Sequence, residues 1–312
     1  MCRFVLYMGP EITLDMLTTR PAHSLINQSF QSRLREEPLN GDGFGIAWYV
    51  PELSLEPALF RSIQPAWNNV NLRHLARVCR SQVILAHVRA ATSGSGVSEV
   101  NCHPFIADRF AFMHNGSVAG FVKNKRRLMQ QLTDETHATI QGTTDSEYLF
   151  ARFRDHFATS DHSDDTQRMA AALTDTILET ARLTAETETG DMPSHHSSLN
   201  LAVTDGISAV VSRFSSGDTD SPSLYTTIGT HCVCENGMCR MAACGDCQSA
   251  VLVASEPLND DAGWNRVSHN QLLLIHPDAS VETRPIVPEG NQTISPDLEN
   301  ADEESASERH LT

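Results

Sequence analysis

No apolar run in the 312-residue sequence approaches the roughly 20 residues that a bilayer-spanning helix needs, so a conventional membrane span is not expected. Positive charge is scarce: 23 Lys and Arg stand against 39 Asp and Glu, for a net charge of -16. A surface of that sign repels phosphate, which argues against nucleic acid and anionic membranes as partners. The amino terminus is short and apolar, but it has no basic segment ahead of a long apolar one. Pro10, Glu11 and Asp15 interrupt it, so no export signal is read there. A disulfide scaffold is not expected either. The eight cysteines sit in a long chain with no sign of secretion, and thiols, ligands or nucleophiles in a reducing cytosol are the expectation. Internal repeats are absent. Gly41-Asp42-Gly43-Phe44-Gly45 precedes a strand instead of opening a helix, so it lacks the geometry that cradles a dinucleotide phosphate.

What is present suits a globular enzyme-sized domain, with 40% hydrophobic residues. Strand formers predict strands over Arg3–Met8, Phe44–Val50, Val83–His87 and Arg109–His114, the last ending at a turn through Asn115-Gly116. Helical spacing predicts helices over Lys123–Leu132, Ser146–Phe157 and Gln167–Leu183, with a polar loop over Ala158–Thr166 and a long surface loop over Thr184–Ser198. Strands resume at Leu199–Thr204, Ser208–Phe214, Ala250–Ala254 and Gln271–Ile275. Strands at both ends with helices between them imply a layered α+β domain over residues 1–287. Residues 288–312 are acidic and poor in large apolar groups, and they are expected to be a disordered tail.

Several residue types suit acyl transfer. Cys2 becomes the first residue once Met1 is removed. Its free α-amine, with a pKa of about 7.7–8.0, could serve as general base for its own thiol, or the Met-Cys start could be an accident of sequence. Asn115 and Gly116 could supply a side-chain amide and a backbone N–H to an oxyanion, or simply form a hairpin turn. Arg89, just after a buried strand, could grip a carboxylate or make a structural ion pair. Asp145 at a helix start could bind an ammonium group or serve as the N-cap.

In order, Cys2, Asn40-Gly41-Asp42-Gly43-Phe44-Gly45, His87-x-Arg89-x-x-Thr92, Asn101-x-His103-Pro104-Phe105, His114-Asn115-Gly116 and Thr144-Asp145-Ser146-Glu147 resemble the class II glutamine amidotransferases. That family belongs to the N-terminal-nucleophile hydrolases. The resemblance covers Met1 to about Phe150 with specific motifs and continues more loosely to about Ile286. It implies a four-layer αββα fold, two stacked and mainly antiparallel sheets between helices, and no cofactor. It also implies roles: Cys2 as nucleophile, Asn115 and Gly116 as oxyanion hole, Arg89 for the substrate α-carboxylate and Asp145 for its α-ammonium. A subgroup resemblance rests on Thr19–Ser29, Pro65–Asn69, Ala202–Gly206 and Val253–Leu258. It points to the amidotransferase-like subunit of the fungal glutathione-degradation complex and, less closely, to the γ-glutamyl hydrolase of ergothioneine synthesis. The implied activity is hydrolysis of a γ-glutamyl amide such as glutathione, with a glutaminase feeding ammonia to a separate synthase as the alternative. A metallopeptidase-like or synthase protein is the implied partner, since no synthase domain follows in this chain.

Other clusters carry less. Arg20, His23 and Asn27 could line the leaving-group side or merely pack. Cys232, Cys234, Cys239, Cys244 and Cys247, with His231 adjacent, could hold zinc tetrahedrally, but one CxxC with irregular spacing favours free thiols in a surface hairpin. Cys102 is expected as a packed thiol and His103 as a structural residue. Lys123, Lys125, Arg126 and Arg127 are expected to form a solvated helix face. His195 and His196 show no ligand spacing.

Overall fold

The structure, a computed structural model, describes residues 2–34, 39–91, 96–185, 196–217, 221–229, 231–235, 238–242 and 249–287. Strand β1 (Arg3–Thr13) leads through helices α1 (Asp15–Thr18) and α2 (Leu25–Phe30) to β2 (Phe44–Val50) and β3 (Ser54–Ser62). Helix α3 (Val70–Ala76) and β4 (Arg80–Val88) follow, then β5 (Phe105–Ala107) and β6 (Phe110–Ser117). Four helices come next: α4 (Phe121–Met129), α5 (Asp134–Ala138), α6 (Asp145–Thr159) and α7 (Asp165–Ala185). The chain returns to strands with β7 (Ser198–Thr204), β8 (Ala209–Arg213), β9 (Tyr225–Gly229), β10 (His231–Glu235) and β11 (Met238–Ala242). It closes with β12 (Ala250–Ala254), β13 (Asn265–Arg266), β14 (Gln271–Ile275) and β15 (Val281–Pro285).

Two antiparallel sheets result. One has the order β13-β9-β12-β1-β4-β2-β3 and the other β15-β14-β8-β7-β6-β5, while β10 and β11 form a separate hairpin. Alternation along β1 shows how the layers stack. Phe4, Leu6 and Met8 meet Ala111, Met113, Ala202 and Val211 between the sheets. Val5 and Tyr7 face the other way, onto Leu17, Leu25, Ile26 and Leu72 of the α1–α3 layer. On the far side, Phe112, Leu201 and Val203 pack against Leu149, Phe153, Leu173 and Ile177 of α6 and α7. The expected αββα architecture is therefore present. Each sheet is covered on both faces, so the strands read as continuous apolar runs, and that is why the period-2 signal was weak in the sequence.

The boundaries needed correction in several places. Strand β1 continues past Gly9-Pro10 to Thr13, with a shift of register between Met8 and Ile12. Helix α4 starts at Phe121, and α7 begins at Asp165 and reaches Ala185, which shortens the loops expected on either side. Of the expected loop over Thr184–Ser198, residues 186–195 lie outside the described residues, and Ser198 already belongs to β7. Asn115 and Gly116 do not turn. They remain in β6, opposite Asn200 and Leu199 of β7. An Asn-Gly dipeptide signals a turn only where two strands end there, and here β7 supplies a pairing partner from far along the chain. The expected tail, 288–312, lies outside the described residues. No helix among the described residues is long and apolar enough to cross a membrane.

Candidate active site

The antiparallel register gathers four strand ends at one edge of the sandwich. Arg3 lies opposite Val88, Phe44 opposite the same Val88, and Val5 opposite Ala254. The residues just outside these strands, Cys2, Gly43, Arg89 and Ser255, therefore converge. Cys2 is half-buried; its Sγ accepts the Ala90 N–H at 3.4 Å and lies 3.6 Å from the Ala90 carbonyl. The neighbouring Arg3 fixes the strand start. Its guanidinium pairs with Glu256 (Nε to Oε1, 2.6 Å) and donates to the Cys2 carbonyl at 2.9 Å and the Ser32 hydroxyl at 3.1 Å. Burial by itself would raise the Glu256 pKa. The Arg3 charge, the Ser32 hydroxyl and the Arg33 N–H together outweigh it and hold the carboxyl below its usual value.

Asn115 enters from the second sheet. Its side chain is fully buried, and Nδ2 donates to the Ser255 hydroxyl at 3.3 Å, the same oxygen that accepts the Phe4 N–H at 3.1 Å. Ser255 thus joins the nucleophile strand to β6 across the two sheets. Its value to the site was not apparent in the sequence, although Val253–Leu258 stood out there as a motif. Ser255→Ala leaves two buried donors without an acceptor, and a loss of about 2 kcal/mol in unfolding free energy is expected, measured by denaturant titration. Gly116 has φ 157 and admits no side chain, because a Cβ there would overlap the Ser198 carbonyl.

Arg89 is 3% exposed, and its backbone is pinned by Gly43 and Asp42 (N to Gly43 O 2.8 Å, Asp42 N to Arg89 O 3.1 Å). Its guanidinium donates to the Asp42 and Gly96 carbonyls at 3.5 and 3.4 Å. Asp145 is the first residue of α6, and the N-cap is Thr144, whose hydroxyl accepts the Glu147 N–H. The sequence reading of Asp145 as a cap is corrected accordingly. One Asp145 oxygen accepts the Val118 N–H at 2.8 Å, and the other accepts the Ser146 hydroxyl at 3.2 Å. Asn101 links the two charged residues. It donates to the Gly96 carbonyl at 2.9 Å and accepts the Thr143 N–H at 3.0 Å, tying the segment that contacts Arg89 to the start of α6.

Beneath this edge lies a cluster of uncharged histidines. Burial pushes the His87 pKa down to about 3 and lowers those of His103 and His114. His87 Nε2 lies 3.1 Å from the His114 carbonyl, which requires it to carry the proton. The His87 and His103 rings are 4.2 Å apart, and His103 packs edge-on against Phe105. His103 is structural, as expected, and Cys102 is a fully buried thiol.

The remaining expectations fall out variously. Arg20 pairs with Asp15 at 2.8 Å, whereas His23 and Asn27 line a cavity next to Glu256. Lys123 and Arg126 are exposed on α4, with Lys125 and Arg127 half-buried, so the face is only partly solvated. Cys232, Cys234 and Cys239 lie on the β10–β11 hairpin, where Cys234 is opposite Cys239; Cys244 and Cys247 lie outside the described residues, as does His195. Among the described residues, no group of three His, Cys, Asp or Glu is placed to hold a metal ion.

Residues 14–203 match the family model described as glutamine amidotransferases class-II. The chain is 42% identical over 292 residues to the probable glutamine amidotransferase DUG3 of Saccharomyces cerevisiae, covering 88% of this chain and 82% of the yeast protein. It is 26% identical over 287 residues to the gamma-glutamyl-hercynylcysteine sulfoxide hydrolase of Mycolicibacterium smegmatis, covering 92% of this chain and 100% of the relative. Among solved structures, a glutamine aminotransferase class-II domain protein from Silicibacter pomeroyi superposes with a TM-score of 0.61 at 26% identity, over 92% of this chain and 100% of that one.

Proposed function

The chain belongs to the class II glutamine amidotransferases, enzymes that act on amide bonds, and from that premise we propose that it hydrolyses the γ-glutamyl amide bond of glutathione or a related γ-glutamyl thiol compound through a thioester on Cys2. The observation that carries the proposal is the bridge from the strand that starts at Cys2 to Asn115: the Ser255 hydroxyl accepts both the Phe4 N–H and the Asn115 amide, with Gly116 next in β6. The γ-glutamyl bond in the name of the mycobacterial relative supports the choice of bond.

In this proposal, removal of Met1 frees the Cys2 amine, which takes the thiol proton. The thiolate attacks the γ-carbonyl carbon, and the resulting oxyanion is held by the Gly116 N–H and the Asn115 side-chain amide. Collapse breaks the C–N bond, and the Cys2 ammonium returns a proton to the departing amine. Water then attacks the γ-glutamyl thioester with the same amine as base, releasing glutamate and restoring the thiol. Arg89 and Asp145 clamp the α-carboxylate and α-ammonium of the glutamyl head, which holds the γ-carbonyl against Sγ. Glutamine shares that head, so the clamp serves a glutaminase equally well. The leaving group separates the two.

Mass spectrometry after treatment with a glutamine-mimicking diazo ketone is expected to show a chain lacking Met1 and carrying one adduct on Cys2. Glutathione should slow this labelling, and glutamate should appear when glutathione is supplied. Turnover of glutamine with none of glutathione would overturn the substrate assignment, and labelling elsewhere than Cys2 would overturn the mechanism.

A further inference from the structure

Next to the strand that starts at Cys2 lies a cavity of about 260 Å³, walled by His23, Asn27, Gln28, Arg33 and Glu256 among others. This is just below the roughly 300–1,000 Å³ of pockets for drug-sized ligands, a suitable size for a dipeptide. One guanidinium spans the gap to the candidate nucleophile. Arg3 holds the Cys2 carbonyl with one nitrogen, the Ser32 hydroxyl with another and Glu256 with the third. We infer that this cavity is the leaving-group subsite, taking the amide and terminal carboxylate of a γ-glutamyl peptide. The inference rests on the proposed function and deepens it by naming the residues that would tell a γ-glutamyl peptide from glutamine.

Three features define the ligand. Gln28 is 2% exposed, and its Nε2 is committed to the His23 and Glu256 carbonyls at 2.9 and 3.2 Å, which fixes the amide orientation. Its Oε1 is left buried with no partner among the described residues. An orphaned buried acceptor is costly, and a peptide N–H entering the cavity would satisfy it. Glu256, by contrast, already accepts from Arg3, Ser32 and the Arg33 N–H, so the wall it forms does not call for a cation.

The rim supplies the third feature. Arg33 Nη1 donates to one Asp260 oxygen at 2.6 Å, and the His23 ring nitrogen lies 3.1 Å from the other. Arg33 Nη1 also lies 2.7 Å from that His23 nitrogen, which accepts from it, so Arg33 is the group that holds the carboxylate. The Asp260 side chain is 74% exposed and can swing out into water. A substrate carboxylate takes its place on Arg33 while the peptide N–H meets Gln28. Ammonia leaving from glutamine can make neither contact, so the subsite favours γ-glutamyl peptides over glutamine.

The test uses the full chain carrying Cys2→Ala, so that ligands bind without turnover, and reads affinity by calorimetry. Glutathione is expected to bind about tenfold more tightly than its glycyl ethyl ester, which lacks the terminal charge. Arg33→Gln should bring that ratio close to one and leave glutamine affinity unchanged. Asp260→Asn should act in the opposite direction, tightening glutathione several-fold and the ester little. Arg33 is largely exposed, and an unchanged melting temperature will show that the variant is folded. Equal binding of glutathione and ester in the parent chain, or a ratio that Arg33→Gln leaves intact, would overturn the subsite while the Cys2 chemistry stood. Failure to bind either glutathione or glutamine would overturn both.

Discussion

Replacing Cys2 with alanine is expected to lower γ-glutamyl hydrolysis by a factor on the order of 10⁴ or more, with the fold intact. In the proposed mechanism, loss of the thiol leaves only the oxyanion donors and the clamp, which alone give modest acceleration over water. Alanine is small enough for Met1 still to be removed, so the loss reports the thiol and not the processing. Cys2 is half-buried, so deleting its Sγ removes little packing. The same chemistry sets the pH profile. In the proposed mechanism the base is the neutral Cys2 amine, so kcat/KM should rise with pH through about 7.7–8.0. A variant that retains Met1 has an amide nitrogen in place of the amine, and it should be inactive at every pH. Initial rates against pH, with the amino terminus checked by mass spectrometry, test both statements; a Met1-retaining chain of full activity would defeat the mechanism.

Stability should fall steeply below about pH 6.5. His87 and His103 are buried and uncharged in the folded chain, the first with its pKa lowered to about 3 and the second well below its ordinary value. Unfolding returns both to about 6.5. Above that pH neither state binds the extra protons, and the histidines do not alter stability with pH. Below it the unfolded chain takes up protons that the folded chain refuses, at about 1.4 kcal/mol per pH unit for His87. Between about pH 6.5 and 4.5 His87 alone gives on the order of 2–3 kcal/mol, a large part of a typical 5–15 kcal/mol, and His103 acts in the same direction. At lower pH, protonation of Glu256 adds to the loss, because its carboxyl pKa is held below the unfolded value. Melting temperature against pH, with proton uptake on unfolding measured calorimetrically in buffers of different ionisation enthalpy, checks this. A flat profile from pH 7 to 5 would show that the histidines are charged in the fold.

The ordering of motifs along the sequence was informative because each depends on local chemistry. A thiol at position two, an arginine after a strand and a carboxylate opening a helix need only a few neighbouring residues to be seen. Periodicity located the long helices α6 and α7 for the same reason, since one apolar stripe repeats many times within each. Strands β3, β5, β9 and β15 escaped: β5 has three residues and β9 and β15 five each, too few to carry much pattern, while Pro57 interrupts the strand signal of β3 and its first residues are exposed. Asn115-Gly116 shows the limit most clearly. The dipeptide is locally a turn signal, and its extended form in β6 exists only because β7 arrives from some 80 residues later to pair with it.

A Met-Cys start says little by itself, and Cys2 was singled out only by the ordered motifs that follow it in the sequence. Its neighbours were decided by the fold. Asn101 ties Gly96, whose carbonyl Arg89 also contacts, to Thr143 just ahead of Asp145, Asn115 meets the Cys2 strand through Ser255, and Arg3 finds its counterion 253 residues away in Glu256. Those contacts arise from antiparallel register and sheet stacking, which bring distant residues within hydrogen-bond range. The sequence determined which chemical groups are available; tertiary structure decided which of them share a hydrogen bond.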